Sequence, residues 1–147
     1  MIYLDPSVIF PLYATDSNST EAASLIHSAS VPLLLTPFCE LETLNSFSLG
    51  LFRKQLSETE TWRLRHNFEL DLEAGVYQLR PLPAGVFTRA KVLAEKITPS
   101  VGVRAADLLH IVAALELGAQ SLYTFDQKQH QAAQAVGLTV NRLPTPY

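Results

Sequence analysis

The chain predicts a layered α/β domain built on a largely parallel sheet. Three observations carry that expectation. Apolar runs of three to five residues alternate with longer segments of helical period along the whole sequence, the pattern of strands joined by helical crossovers. The run from Val31 to Leu35 is apolar without alternation, as a strand covered on both faces is. Asp-Pro and Thr-Pro pairs directly follow the first two runs, opening helices where the strands stop.

In order, Ile2-Tyr3-Leu4 is the first strand, and Asp5-Pro6-Ser7 stops it, with Asp5 as N-cap and Pro6 at the first helical position. Val8, Ile9 and Leu12 stripe that helix before the polar turn Thr15-Asp16-Ser17-Asn18. A second helix runs from about Ser19 to Ala29 with Ala22, Ala23, Leu25 and Ile26 inward. After the strand Val31–Leu35, the helix opened by Thr36-Pro37 continues to about Phe52. Ser57-Glu58-Thr59-Glu60 is a capping box ahead of a helix carrying Trp62, Leu64, Phe68 and Leu70. Val76–Leu79 is the third strand, closed by Pro81 and Pro83. Val86, Phe87, Ala90, Leu93, Ala94 and Ile97 predict the next helix, and Pro99-Ser100-Val101-Gly102 a loop. From Ala105 to Leu117 nearly every residue is apolar, so that helix is expected to be buried all round. Ser121–Thr124 is a strand, Gln127–Val136 a helix stopped by Gly137, Leu138–Val140 a last strand, and Pro144–Tyr147 a tail.

At 147 residues, with 48% hydrophobic and 17% charged residues, the chain suits one ordered domain spanning residues 1–147. No repeat, low-complexity segment or linker divides it. The lone Cys39 excludes an internal disulfide and suits a reducing compartment. No apolar run approaches the ~20 residues of a membrane helix. Asp5 interrupts the N-terminus where a signal peptide would be apolar, so a cytoplasmic location is expected. The net charge of −3 does not mark a polyanion binder. Without the four acids discussed next, however, ten Asp plus Glu face eleven Lys plus Arg. A mildly basic surface around an acidic pocket is compatible with an anionic substrate once cations fill the pocket.

Asp107 poses the main question, because it opens an otherwise apolar helix and a bare buried carboxylate is very costly. Asp5 and Asp126 end predicted strands, at the sheet edge where open parallel sheets bind ligands. Glu42 lies on the helix after the second strand, with Asn45 one turn on inside the apolar stripe; Glu40 has no such neighbour. Four acids from four segments thus converge on one rim. Carboxylates held close do not all ionise cheaply without a divalent cation, and an oxygen-only donor set selects Mg²⁺ or Mn²⁺ over zinc. Taken singly, each acid has a plainer reading: Asp5 and Asp126 as N-caps worth ~1 kcal/mol, and Asp107 as a complement to the helix dipole. His110, one turn after Asp107, reads as a core histidine paired with a carboxylate or carbonyl. Ser7 and Thr124 either orient the acids or satisfy local backbone groups. Joint placement favours a shared site.

The motifs then bring a resemblance. Tyr3-Leu4-Asp5-Pro6-Ser7 resembles a strand-Asp-x-Ser start, and Glu42-Thr43-Leu44-Asn45-Ser46-Phe47 resembles a Glu-x-x-Asn-Ala-Leu helix. Arg104-Ala105-Ala106-Asp107-Leu108-Leu109-His110 and Thr124-Phe125-Asp126 follow in order, ahead of Ala132–Leu138. In these features the chain resembles PIN-domain proteins, in particular the toxin ribonucleases of VapBC-type toxin–antitoxin pairs. Pro6 departs from the Thr or Ser usual after the first acid, which removes a hydroxyl and a backbone donor from the pocket. The segment from Arg53 to Gly102 carries no motif.

The resemblance implies a three-layer α/β/α PIN-like fold with a mostly parallel central sheet. It also implies Mg²⁺- or Mn²⁺-dependent hydrolysis of RNA phosphodiester bonds by metal-activated water. Asp5, Asp107 and Asp126, with Glu42 directly or through water, would hold one or two ions, supported by Ser7, Asn45 and Thr124. Arg104 is the first candidate for holding the RNA backbone. Arg53, Lys54, Arg89 and Lys91 come after it, each reading first as an ordinary surface charge. Single-stranded or looped RNA is the expected substrate. The implied partners are a cognate antitoxin, covering the acidic groove with a peptide, and a second copy of the chain as a homodimer. Two other classes compete. A non-catalytic PIN-like RNA- or protein-binding module would keep the fold without turnover. A receiver- or phosphatase-type domain would want an acid where Ser7 stands, or a Lys near the last strands, whereas Lys128 falls in a helix.

Overall fold

The computed structural model describes residues 1–144. Along the chain run β1 (Ile2–Leu4), α1 (Pro6–Tyr13), α2 (Ser19–His27), β2 (Leu33–Leu35), α3 (Pro37–Phe52) and α4 (Glu58–Glu73). Then come β3 (Gln78–Leu79), α5 (Val86–Val101), α6 (Ala105–Glu116), β4 (Ser121–Tyr123), α7 (Gln127–Ala135) and β5 (Thr139–Val140). The strands form one sheet in the order β3-β2-β1-β4-β5, and every pairing is parallel. Parallel neighbours need crossovers, which the helices between successive strands supply. The chain works outward from β1 to β3, then returns to β4 on the other side of β1. The switch point therefore lies between β1 and β4, and a crevice opens beyond their C-terminal ends.

Side chains alternate across the strands, and this divides the core in two. Tyr3, Leu34 and Leu122 point to one face, where they meet Val86, Ala90, Leu108, Ile111, Val112 and Ala132 from α5, α6 and α7. Ile2, Leu4, Leu33 and Leu35 point to the other, against Ile9, Phe47 and Phe68 from α1, α3 and α4. Helices on both faces of a parallel sheet make the three-layer α/β/α architecture the sequence predicts. The second core is aromatic: Phe47 and Phe68 lie edge-on at 6.4 Å, and Tyr13 meets both. No helix among the described residues is long and apolar enough to cross a membrane.

Several boundaries differ from expectation. The predicted loop at Pro99–Gly102 is mostly helix, since α5 continues through Pro99 to Val101 and ends at Gly102. Proline leaves the carbonyl four residues back unpaired; that residue, Glu95, is exposed, so water can take its carbonyl. Gly102 takes the left-handed conformation (φ 69°) that closes the helix. β2 omits Val31 and Pro32: Val31 is 43% exposed, and Pro32 has no N–H to give, offering only its carbonyl to Ile2 N at 3.0 Å. β3 omits Tyr77 and also Val76, whose N–H turns back to Asp71. β4 omits Thr124, whose N–H pairs with the Asn141 side chain, and β5 omits Leu138, whose N–H returns to Ala133 in the closing turn of α7. On α2 only Ala22 is fully buried and Ala23 faces solvent, while Trp62 and Leu70 lie on the outer side of α4. Of the expected tail, residues 145–147 lie outside the described residues.

Candidate active site

Two helices begin where strands of the switch point end. Asp5 is in extended conformation (φ −88°, ψ 149°) and accepts from Ser7 N at 2.9 Å, while Pro6, which lacks an N–H, takes the first helical position. Asp126 repeats the device for α7, its Oδ1 accepting from Gln129 N at 2.8 Å. Both acids are therefore N-caps, and both also line a cleft of about 510 Å³ at the crevice. Glu42, Asn45, Ser7, Arg104 and Asp107 line the same cleft; Glu40 does not. The structure thus brings the four sequence-predicted acids together.

Asp5 is held mostly through one oxygen. Its Oδ2 accepts from Ser7 N, Ser7 Oγ (2.5 Å) and Thr124 Oγ1 (3.3 Å). Ser7 Oγ accepts in turn from Phe125 N at 2.9 Å, and Thr124 Oγ1 from Asp126 N at 3.0 Å. The two hydroxyls therefore lash the end of β1 to the turn after β4. They also provide the local hydrogen bonding that Pro6 cannot. Asn141, in the segment after β5, completes the lashing by accepting from Thr124 N at 2.8 Å.

Asp107 is held at the mouth of α6, whose Leu108, Ile111, Val112, Ala113 and Ala114 are all buried. Its Oδ2 accepts from Arg104 N (3.3 Å) and Arg104 Nε (3.2 Å). The same guanidinium reaches Asp126 Oδ2 through Nη2 at 3.6 Å. Burial pushes the Asp107 carboxyl above its ordinary range; Arg104 opposes that shift and Asp126 adds to it. The hydrogen bond to Asp107 raises the Arg104 guanidinium further, so it stays charged.

Glu42 reaches the cleft from the opposite layer, and its Oε2 lies 2.5 Å from His110 Nε2. That nitrogen also stands 3.9 Å from Asp5 Oδ1. His110 is thus the core histidine with a carboxylate partner that its apolar surroundings suggest, and the partner belongs to the cleft. Tyr3, which the sequence reading treats as a strand residue, contacts His110 Nδ1 at 2.9 Å. Neither this contact nor the Asn141 latch has a local sequence signal, because each joins residues far apart in the chain.

Among the described residues, Asp5 Oδ1, Glu42 Oε1 and Asp107 Oδ1 accept no hydrogen bond. Oxygen donors of this kind suit a hard divalent cation such as Mg²⁺. No three Asp, Glu, His or Cys side chains among the described residues stand close enough to share one ion. Arg104 instead bridges Asp107 and Asp126 as an internal counter-cation. Its side chain is 75% exposed, so little besides these two carboxylates holds it. The lesser basic candidates separate. Arg53 lines the cleft, whereas Lys54, Arg89 and Lys91 do not, and Arg89 pairs with Glu116 on α6.

Residues 2–135 match the family described as PIN domain. The chain belongs to that family. No curated protein matches. Among solved structures, FitAcB from Neisseria gonorrhoeae is 18% identical with a TM-score of 0.72, over 97% of each chain. FitAB bound to an IR36 DNA fragment is 20% identical with a TM-score of 0.68, over all of both chains. Mycobacterium tuberculosis VapC20, a sarcin-ricin loop cleaving toxin, is 16% identical with a TM-score of 0.65, over 95% of this chain and 97% of its own. At such identities the likeness establishes the PIN fold. The family match spans all four acids.

Proposed function

We propose that this PIN-domain protein is a divalent-cation-dependent endoribonuclease, the toxin of a toxin–antitoxin pair, acting on single-stranded or looped RNA. The observation that carries the reading is the cleft at the β1/β4 switch point, lined by Asp5, Glu42, Asp107 and Asp126. Each of these carboxylates is anchored by the protein, and three keep an oxygen free. Family membership supports nuclease chemistry, and one similar structure is described as a sarcin-ricin loop cleaving toxin.

With Arg104 displaced and the carboxylates drawn closer, Asp5, Asp107 and Asp126, with Glu42, would hold one or two Mg²⁺ or Mn²⁺ ions. A cation bound there lowers the pKa of a water and offsets charge on the scissile phosphate. The chain's own residues supply the rest. Ser7 and Thr124 hold Asp5 in one orientation, and the buried helix α6 fixes Asp107 at the same cleft. Arg104, once released from its acids, offers a forked donor to a phosphate, and Arg53 gives the same cleft a second backbone contact. No covalent nucleophile is needed.

The same geometry suits a cognate antitoxin. Arg104 demonstrates that a guanidinium fits between Asp107 and Asp126, so an antitoxin peptide bringing its own arginine would compete with metal there. A homodimer in the cytoplasm completes the reading. The deciding experiment is RNA cleavage with Mg²⁺ or Mn²⁺, with and without chelator, for wild type and Asp107→Asn. Chelation and the substitution are each expected to lower the rate by about 10²-fold or more, some 2.7 kcal/mol of barrier. Cleavage that survives both would overturn the reading. Adding the antitoxin should abolish cleavage.

A further inference from the structure

Behind Glu42 lies a buried chain of polar groups that the proposed chemistry does not use. Thr36 Oγ1 caps α3 by accepting from Cys39 N at 3.4 Å, and it stands 3.0 Å from Tyr3 Oη. Tyr3 Oη is 2.9 Å from His110 Nδ1, and His110 Nε2 is 2.5 Å from Glu42 Oε2. Tyr3 and Thr36 are wholly buried and His110 is 1% exposed. Within the chain, then, each polar hydrogen has to find its acceptor.

The end of the chain sets its direction. An ionised carboxylate only accepts, so His110 Nε2 carries the proton. In the neutral imidazole Nδ1 is then an acceptor, and the Tyr3 hydroxyl donates to it. The Tyr3 oxygen accepts in turn from the Thr36 hydroxyl. With this one assignment every contact in the series has a donor and an acceptor. The ring plane is also held: Phe38 lies against His110 at 4.8 Å and Tyr3 at 5.7 Å between centroids.

Glu42 needs such an anchor more than the other acids. It has one more rotatable bond than an aspartate, and it comes from the layer opposite α6. Ordering a long side chain at the cleft costs rotamer freedom, and a charge-assisted hydrogen bond offsets that cost. We infer that His110 is a positioning residue, locked by Tyr3 in the Nε2–H tautomer, which holds Glu42 beside Asp5. The role of Glu42 itself rests on the nuclease reading above; the tautomer and its lock do not.

The test combines two measurements. ¹⁵N NMR of wild type should show His110 protonated at Nε2 with Nδ1 as acceptor, and Tyr3→Phe should move the Nδ1 resonance. Mn²⁺ binding without RNA, followed by the EPR signal of free Mn²⁺, should weaken about 10-fold or more in His110→Leu. His110→Gln keeps an N–H donor toward Glu42 and should stay close to wild type. With RNA, His110→Leu should lose kcat while KM holds, because the arginines that grip the backbone are untouched. An Nδ1–H tautomer in wild type overturns the inference, as does wild-type Mn²⁺ affinity in His110→Leu. Should His110→Leu not fold, Mn²⁺ binding by Tyr3→Phe at full wild-type strength, with an unmoved Nδ1 resonance, overturns it equally. If wild type neither binds Mn²⁺ nor cleaves RNA, the nuclease reading fails, and the tautomer still decides whether the lock exists.

Discussion

Asp107 stands where a carboxylate is wanted by the cleft and disfavoured by its surroundings. Burial raises its pKa despite Arg104, so in metal-free protein its ionisation costs the folded state more than the unfolded one. The stabilisation it contributes is complete below the unfolded carboxylate range and is lost as pH rises through the folded pKa. Asp107→Asn removes that loss. In chelator at neutral pH the variant should melt above wild type, with the gap closing on acidification. Thermal scans from about pH 3 to about pH 8 check both parts. Saturating Mn²⁺ should reverse the order, because only wild type keeps the full ligand set and gains stability from binding. Ser7 makes a contrasting case, since its hydroxyl donates to Asp5 and accepts from Phe125 N. Ser7→Ala leaves that N–H unpaired and should cost about 1–3 kcal/mol, read as a lower urea midpoint at unchanged slope. Cleavage should fall as well, because Asp5 loses one of the donors that orient it.

At the scale of elements, helix openings carry much of the design. The capping box of α4 is present in full: Ser57 Oγ accepts from Glu60 N at 3.2 Å and Glu60 Oε2 accepts from Ser57 N at 2.8 Å. The Ser57 bonds hold the Glu60 carboxyl below its ordinary pKa. Its contribution is present above the unfolded carboxylate range and is lost as pH falls through the folded pKa. Ser57→Ala should destabilise by about 1 kcal/mol and flatten the acid limb of the stability profile, as pH-resolved melts will show. This box, the proline-opened helices α1 and α3, and the apolar runs were all legible in sequence because each signal lies within a few residues. So were the acids, since strand ends and helix starts place Asp5 and Asp126 directly. What escaped depends on distant parts of the chain. Pro99 reads as a breaker, yet the exposed side of α5 lets water satisfy the carbonyl it leaves free. Tyr3 reads as core, and only the packing of α6 against β1 brings His110 to its hydroxyl. Asn141 follows a short last strand, and its value comes from Thr124, 17 residues earlier.

For the whole molecule the question is how a chain of net charge −3 grips a polyanion. Five of its acids line one cleft, Asp16 beside the four of the site, and bound cations would cancel their field there. Two arginines then remain on the same surface, Arg53 and Arg104, while Arg89 is paired with Glu116 at the C-terminal end of α6. Each arginine that neutralises a phosphate of single-stranded RNA releases counterions and contributes about 0.7 to the slope of log affinity against log salt. The double replacement Arg53→Ala, Arg104→Ala should therefore reduce that slope by about 1.4. The replacement Arg89→Ala, Lys91→Ala on α5 should leave it unchanged. Binding titrations over a range of salt, with Ca²⁺ in place of Mg²⁺ to suppress turnover, measure both. An unchanged slope in the cleft pair, or a reduced one in the α5 pair, would place the RNA on a different face from the acids. The two effects expected of Arg104 also oppose each other. As an RNA contact its loss weakens binding, and as the internal counter-cation of Asp107 and Asp126 its loss tightens Mn²⁺. Arg104→Ala should thus move RNA and metal affinity in opposite directions, a pattern that general unfolding of the cleft would not produce.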